Sequence, residues 1–169
     1  MIRIGKIVAA HGLQGAVILT HIVGHSDWLK KEMPLFIELN KGSYIPYFTE
    51  QFRAANDEEY IVNLEEVTQV EQAKKLVGKQ VYAQENLLEH TASDSPLLWI
   101  GFEVTDRKHG KLGKIDDVML TANQWLAQLT YKDAEVLIPL IEQTIEGIDL
   151  KKKKIAVNLP EGLLEVYTK

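Results

Sequence analysis

The chain has 169 residues, 46% of them hydrophobic and 25% charged, with no cysteine and a formal net charge of −5. That length builds one domain or two small ones around a buried core, and the composition is that of an ordinary folded soluble protein. The missing cysteines exclude disulfides, thiol catalysis and cysteine-rich zinc sites, and no apolar run approaches the ~20 residues that span a bilayer.

Near the start, His11-Gly12-Leu13-Gln14-Gly15 sits between two stretches that read as strands. A glycine pair at this spacing can clamp RNA phosphates, but that loop needs flanking helices. The lysine and hydroxyl of a P-loop are also missing. The pair therefore reads as a tight strand connection using backbone angles other residues avoid. A rigid turn at the end of a barrel exposes its tip, which makes His11, Gly12, Leu13 and Gly15 candidates for docking a partner.

Ala16 to Ile22 is apolar and partly β-branched. Leu35 to Leu39 and Tyr44 to Phe48 flank Asn40-Lys41-Gly42-Ser43, a hairpin signal. Tyr60 to Leu64 predicts another strand. Thr68 and Glu71 have capping-box spacing, and Val70, Ala73, Leu76 and Val77 share one face of a helix that Gly78 can end. Lys79 to Ala83 returns to strand. The polar, proline-closed stretch 86–96 reads as a linker between residues 1–85 and 97–169.

The strand pattern restarts at Trp99. Phe102 to Asp106 and Leu112 to Met119 flank the turn signal Lys108-His109-Gly110. Trp125 to Tyr131 alternates, Val136 to Ile138 leads into Pro139, and Ile155 to Leu159 follows the Lys151 to Lys154 run. A short helical turn is expected after Pro160. Many short strands with regular turns predict a mostly β chain, with a small barrel in each half.

No residue set reads as catalytic machinery. His21 and His25 are four apart, but in a strand followed by Gly24 they do not share a helical face, so surface or turn histidines are expected. Asp116 and Asp117 are adjacent in a strand and do not converge. Lys151 to Lys154 can touch phosphate, yet within an acidic chain it reads first as a solvated turn. Residues 1–93 carry 9 basic against 12 acidic residues, and residues 94–169 carry 10 against 12. Neither half is basic, so the balance suits a basic protein partner better than tight RNA binding. The first residues show no signal-peptide pattern, and a cytoplasmic location is expected.

Five segments, in order and at matching spacing, resemble the ribosome maturation factor RimM family. They are His11 to Gly15; Val62 to Leu64; Glu71 to Gly78; Ile100-Gly101-Phe102-Glu103-Val104; and Gly110 to Val118. The resemblance implies a translation-factor-like barrel at residues 1–85 and a PRC-type barrel at residues 97–169. It implies a non-catalytic chaperone of small-subunit assembly and rRNA processing, with no cofactor, metal, membrane or small-molecule substrate. Its partner would be the small ribosomal subunit, through a basic protein of the subunit head, with rRNA nearby. Family members commonly carry a Tyr-Tyr pair just before the segment matching Trp99-Ile100-Gly101. This chain has Asp94-Ser95-Pro96 there, which leaves Leu97, Leu98 and Trp99 as replacement anchors or as barrel core. Two other readings stand beside this one: an RNA-binding β-barrel acting directly on rRNA, and an enzyme with an unrecognised cleft.

Overall fold

The computed structural model describes residues 1–24, 27–92 and 94–169. The chain forms two compact units, Met1–Leu98 and Trp99–Lys169. The first contains strands β1 (Ile2–His11), β2 (Ala16–His21), β3 (Pro34–Asn40), β4 (Ser43–Ala54), β5 (Glu59–Leu64) and β6 (Gln80–Ala83). They close into a barrel in the order β1-β2-β5-β4-β3-β6.

Alternation builds this barrel. Leu35 and Ile37 of β3 point inward while Pro34, Phe36 and Glu38 face out; on β5, Tyr60, Val62 and Leu64 point inward. Ile4, Ile7, Leu19 and Val81 join them, each at most 1% exposed. Each such side chain contributes roughly 1.5–3 kcal/mol by leaving water. Strand β4 runs six residues past the apolar segment that ends at Phe48, because its polar half pairs with β5, from Gln51↔Asn63 to Ala54↔Tyr60. Pairing, not composition, makes Glu50 to Ala54 a strand.

Helix α1 (Val70–Leu76) lies between β5 and β6 and buries Ala73 and Leu76. Its N-cap is Gln69, one residue later than the Thr68 expected from spacing. Gln72, not Glu71, reaches back, its Oε1 accepting from the Thr68 and Gln69 amides at 2.9 and 3.1 Å. Val77 lies beyond the helix and is 38% exposed, while Gly78 supplies the left-handed residue at φ 86°. The stretch 86–96 is more than a tether. Most of helix α2 (Glu85–Thr91) falls in it, with Leu88 and Ala92 buried, and a 3-10 turn follows at Pro96–Trp99. Polar composition concealed the packing face that Leu88 provides. Ser93 lies outside the described residues.

The second unit has strands β7 (Glu103–Asp106), β8 (Gly110–Leu120), β9 (Trp125–Tyr131), β10 (Ala134–Pro139), β11 (Ile145–Asp149) and β12 (Lys154–Val157), then helix α3 (Leu163–Tyr167). The sheet order is β10-β9-β8-β7-β12-β11, and β7 and β12 run parallel within an otherwise antiparallel sheet. Trp99, where the strand pattern was expected to restart, belongs to the 3-10 turn instead. Strand β11 was not among the strands expected from the sequence. It forms because β12 offers an edge, and a bulge between Ile145 and Gly147 absorbs the irregularity.

A buried carboxylate ties this unit together. Asp106 is 2% exposed. Its Oδ2 accepts from the Lys108 and His109 amides at 3.0 Å and from His109 Nδ1 at 2.8 Å, while Oδ1 accepts from the Leu159 amide at 2.9 Å. Burial disfavours its charge, but the hydrogen bonds, led by Leu159, outweigh burial and hold the carboxyl below its ordinary range. Asp106→Asn is expected to destabilise the unit by about 2–4 kcal/mol, because an amide cannot accept all four bonds. A depressed carboxylate stabilises the fold above its unfolded pKa, and that contribution fades as pH falls through the folded value. Urea melts of the wild type should therefore lose stability below about pH 4, and Asp106→Asn should lack that acid-dependent part. Equal acid slopes in the two proteins would refute the assignment.

Candidate partner-binding surfaces

Strands β1 and β2 meet at the loop Gly12 to Gly15, paired up to His11↔Ala16. Gly12 and Gly15 adopt φ values of 68° and 83°. Such angles suit glycine, as the motif required. The two glycines are not equivalent. A Cβ at Gly12 would meet nothing within 4 Å, whereas one at Gly15 would lie 2.3 Å from the Val67 carbonyl oxygen. Gly12 permits the turn; Gly15 also lets it dock on the chain leading into α1. Between them Leu13 is 83% exposed. Beside the tip is an open concavity of about 400 Å³ lined by His11, Leu13, Gln14, Arg53, Ile61 and Asn63. An apolar knob beside a guanidinium and amides can hold a partner's apolar side chain and its polar backbone.

A second surface lies on the outer wall of the barrel, across β6, β3 and β4. The register places Tyr82 beside Phe36, Phe36 beside Pro46, Pro34 beside Phe48 and Glu38 beside Tyr44. Directly paired residues share a face. Phe48 is 43% exposed and Tyr44 38%. The Tyr44 and Tyr82 rings meet edge to face at 4.8 Å, and the Tyr82 hydroxyl donates to Glu38 Oε2 at 3.2 Å. Burial and the adjacent Glu38 carboxylate push the Tyr82 phenol up, keeping it a donor. The sequence reading missed this face. The signal was present: Tyr44 to Phe48 is apolar at every position, and a strand with one wet face would alternate.

Leu97, Leu98 and Trp99 are 2%, 9% and 8% exposed. They are packed inside the chain rather than standing on its surface, and the Trp99 indole N–H has no acceptor among the described residues. Of the remaining candidates, His11, Gly12 and Leu13 are exposed at the hairpin tip and Gly15 is buried beneath it.

The histidines separate into distinct environments. His21 is a core residue, 2% exposed, not a surface or turn histidine. Its Nδ1 accepts from Trp28 Nε1 at 3.3 Å, with the Trp28 and Tyr60 rings at 5.3 and 5.2 Å. Its Nε2 has no partner among the described residues. Burial lowers its pKa to about 4. The missed signal was positional: β2 places every second residue inside, and position 21 falls in that set. His25 lies outside the described residues. His109 bridges Asp106 and Glu165, the latter at 3.4 Å. Among the described residues no three histidines or carboxylates come together as metal ligands, and no helix is long and apolar enough to cross a membrane.

Comparison with known proteins gives these surfaces a context. Residues 2–88 match the RimM N-terminal domain family, and residues 99–163 match the RimM PRC barrel domain family. The chain is 34% identical to the ribosome maturation factor RimM of Parabacteroides distasonis, covering 97% of this chain and 95% of that one. It is also 34% identical to the RimM of Bacteroides fragilis, covering 97% and 91%. The solution structure of the N-terminal domain of RimM from Thermus thermophilus shares 25% identity, with a TM-score of 0.39, over 52% of this chain and 92% of that one. The two domain matches follow one another in the order of the two units, and the curated relatives match from end to end; this chain belongs to the RimM family of ribosome maturation factors.

Proposed function

We propose that the protein is a non-catalytic assembly factor of the small ribosomal subunit that binds a basic protein of the subunit head. Its acidic first unit presents an exposed face of Phe48, Tyr44 and Pro46 around the Glu38 carboxylate, and that observation carries the reading. An apolar centre with a carboxylate at its edge suits a partner bearing lysine or arginine beside apolar side chains. The hairpin tip, with His11, Gly12 and Leu13 held up by Gly15, adds a second contact. Leu97, Leu98 and Trp99 are buried and serve as core rather than as contacts. The protein acts by binding alone: its affinity favours one arrangement of precursor subunit over misfolded ones, with no covalent step. It works in the cytoplasm, close to the rRNA whose processing depends on that arrangement.

The test is co-sedimentation with small subunits, then binding to isolated head proteins and to naked rRNA. Leu13→Asp and Phe48→Asp should each weaken subunit binding about tenfold or more, the loss of one interface anchor. Their melting temperatures should stay near wild type, since both positions are exposed. Salt should weaken binding by screening, with an apolar remainder surviving at about 1 M. Wild-type affinity in both variants, with no head protein bound, would overturn the reading.

A further inference from the structure

We propose that the outer face of the second unit, around the β11–β12 turn, is a contact surface for the phosphodiester backbone of RNA. The sequence showed only the run Lys151 to Lys154. The fold brings it two further lysines from β8. Lys114 and Lys154 both pair with Glu103 of β7, one on each side, and Lys111 Nζ reaches the Glu103 carboxylate at 2.6 Å. Six lysines (111, 114, 151, 152, 153 and 154) thus surround two carboxylates, Glu103 and Asp149, in a chain whose net charge is −5. Asp116, two residues beyond Lys114, bounds the patch.

The backbone under these lysines is held in place. The Lys152 amide donates to Asp149 Oδ1 at 2.9 Å, the Glu103 amide donates to the Lys153 carbonyl at 2.9 Å, and Lys153 takes a left-handed φ of 53°. Lys151 to Lys154 and Lys111 are exposed, as is Lys114. Glu103 is committed to its lysine neighbours: the Lys111 hydrogen bond leads in holding its carboxyl below the usual range. It therefore cancels one of the six positive charges, as Asp149 cancels another, and four remain for phosphate. None of the eight residues that make the patch carries an aromatic ring on which a base could stack. Such a surface binds phosphates without reading sequence, and it positions a nucleic acid rather than choosing it. That the polyanion is rRNA rests on the assembly-factor reading above.

The experiment measures binding of the full chain to a naked small-subunit rRNA transcript across a salt series. Four net charges predict a log–log slope of about −3. The triple variant Lys151→Ala, Lys152→Ala, Lys154→Ala should lose affinity on the order of 100-fold at about 0.1 M salt and flatten the slope by about 2. Arginine at the same three positions should keep both. Lys74→Ala with Lys75→Ala, on α1 of the other unit, should change neither. Equal RNA affinity in the wild type and the alanine triple would overturn the proposal, as would polyglutamate competing as well as RNA does. Small-subunit co-sedimentation runs in parallel. A chain that binds RNA through these lysines but never pellets with subunits keeps the patch and loses the assembly-factor reading. A chain that pellets but ignores naked RNA does the reverse.

Discussion

Gly15→Val should unfold the first unit at temperatures where Gly12→Val remains native. Both glycines sit at positive φ, and valine there costs about 1–3 kcal/mol of backbone strain. Only Gly15 carries a second penalty. Its Cβ would lie 2.3 Å from the Val67 carbonyl oxygen, 2.7 Å from the Val67 carbonyl carbon and 2.9 Å from the Gln69 nitrogen. All three atoms are backbone, so no side chain can swing away. The segment between β5 and α1 would have to move, and α1 buries Ala73 and Leu76 in place. Overpacking of this kind adds about 1–3 kcal/mol, and backbone contact puts it at the upper end. At roughly 6 °C per kcal/mol, strain of about 2 kcal/mol puts Gly12→Val about 12 °C below wild type, and about 3 kcal/mol more puts Gly15→Val about 30 °C below it. Thermal unfolding followed by circular dichroism decides this. Equal losses in the two variants would mean that conformational strain, not the approach to Val67, sets the requirement for glycine.

Acidification from neutral pH should weaken the first unit well before Asp106 in the second begins to fail. His21 is neutral in the fold with a pKa of about 4, while in the unfolded chain it titrates near 6.5. Between those values the unfolded state binds the extra proton, so stability falls as pH drops through that window. At about 1.36 kcal/mol per unit the shift amounts to roughly 3 kcal/mol. Opposing relief would require an acceptor for the imidazolium. The cage offers instead the Trp28 N–H at 3.3 Å and the Tyr60 ring. His21→Asn keeps an acceptor near the Nδ1 position and removes the titration. Its stability should be nearly flat from about pH 6.5 to about pH 4.5, while the wild type declines. Trp28 reports the transition through its fluorescence, provided Trp99 and Trp125 are replaced by phenylalanine in both proteins. Parallel pH profiles for the wild type and His21→Asn would sink the assignment.

The local signals were legible in the sequence where a single short-range rule was sufficient. The glycines around Leu13 required a turn, and the turn is there at positive φ. The alternating stretch from Trp125 to Tyr131 has the bounds of β9, with Ala127 and Leu129 buried. Gly78 ended a helix whose buried face, Ala73 and Leu76, spacing had identified. Composition and motif order were also enough to set the fold class and the family, because both are properties of the chain itself.

Other features depend on partners far away in sequence. Residues 50–54 and strand β11 are strands only because a neighbour's edge pairs with them. Leu88 turns a polar stretch into a helix by finding a place to bury. His21 becomes a core residue because barrel closure surrounds it, and Asp106 becomes a hub because the chain returns at Leu159, 53 residues later. The aromatic wall and the lysine patch have the same origin. Hydrogen-bonded register lines up Tyr82, Phe36 and Pro46 from three strands, and Lys114, Glu103 and Lys154 from three others. The sequence alone determined which residues were apolar, charged or conformationally free. Only tertiary pairing, which is set by the core that each unit buries, decided which of them share a surface.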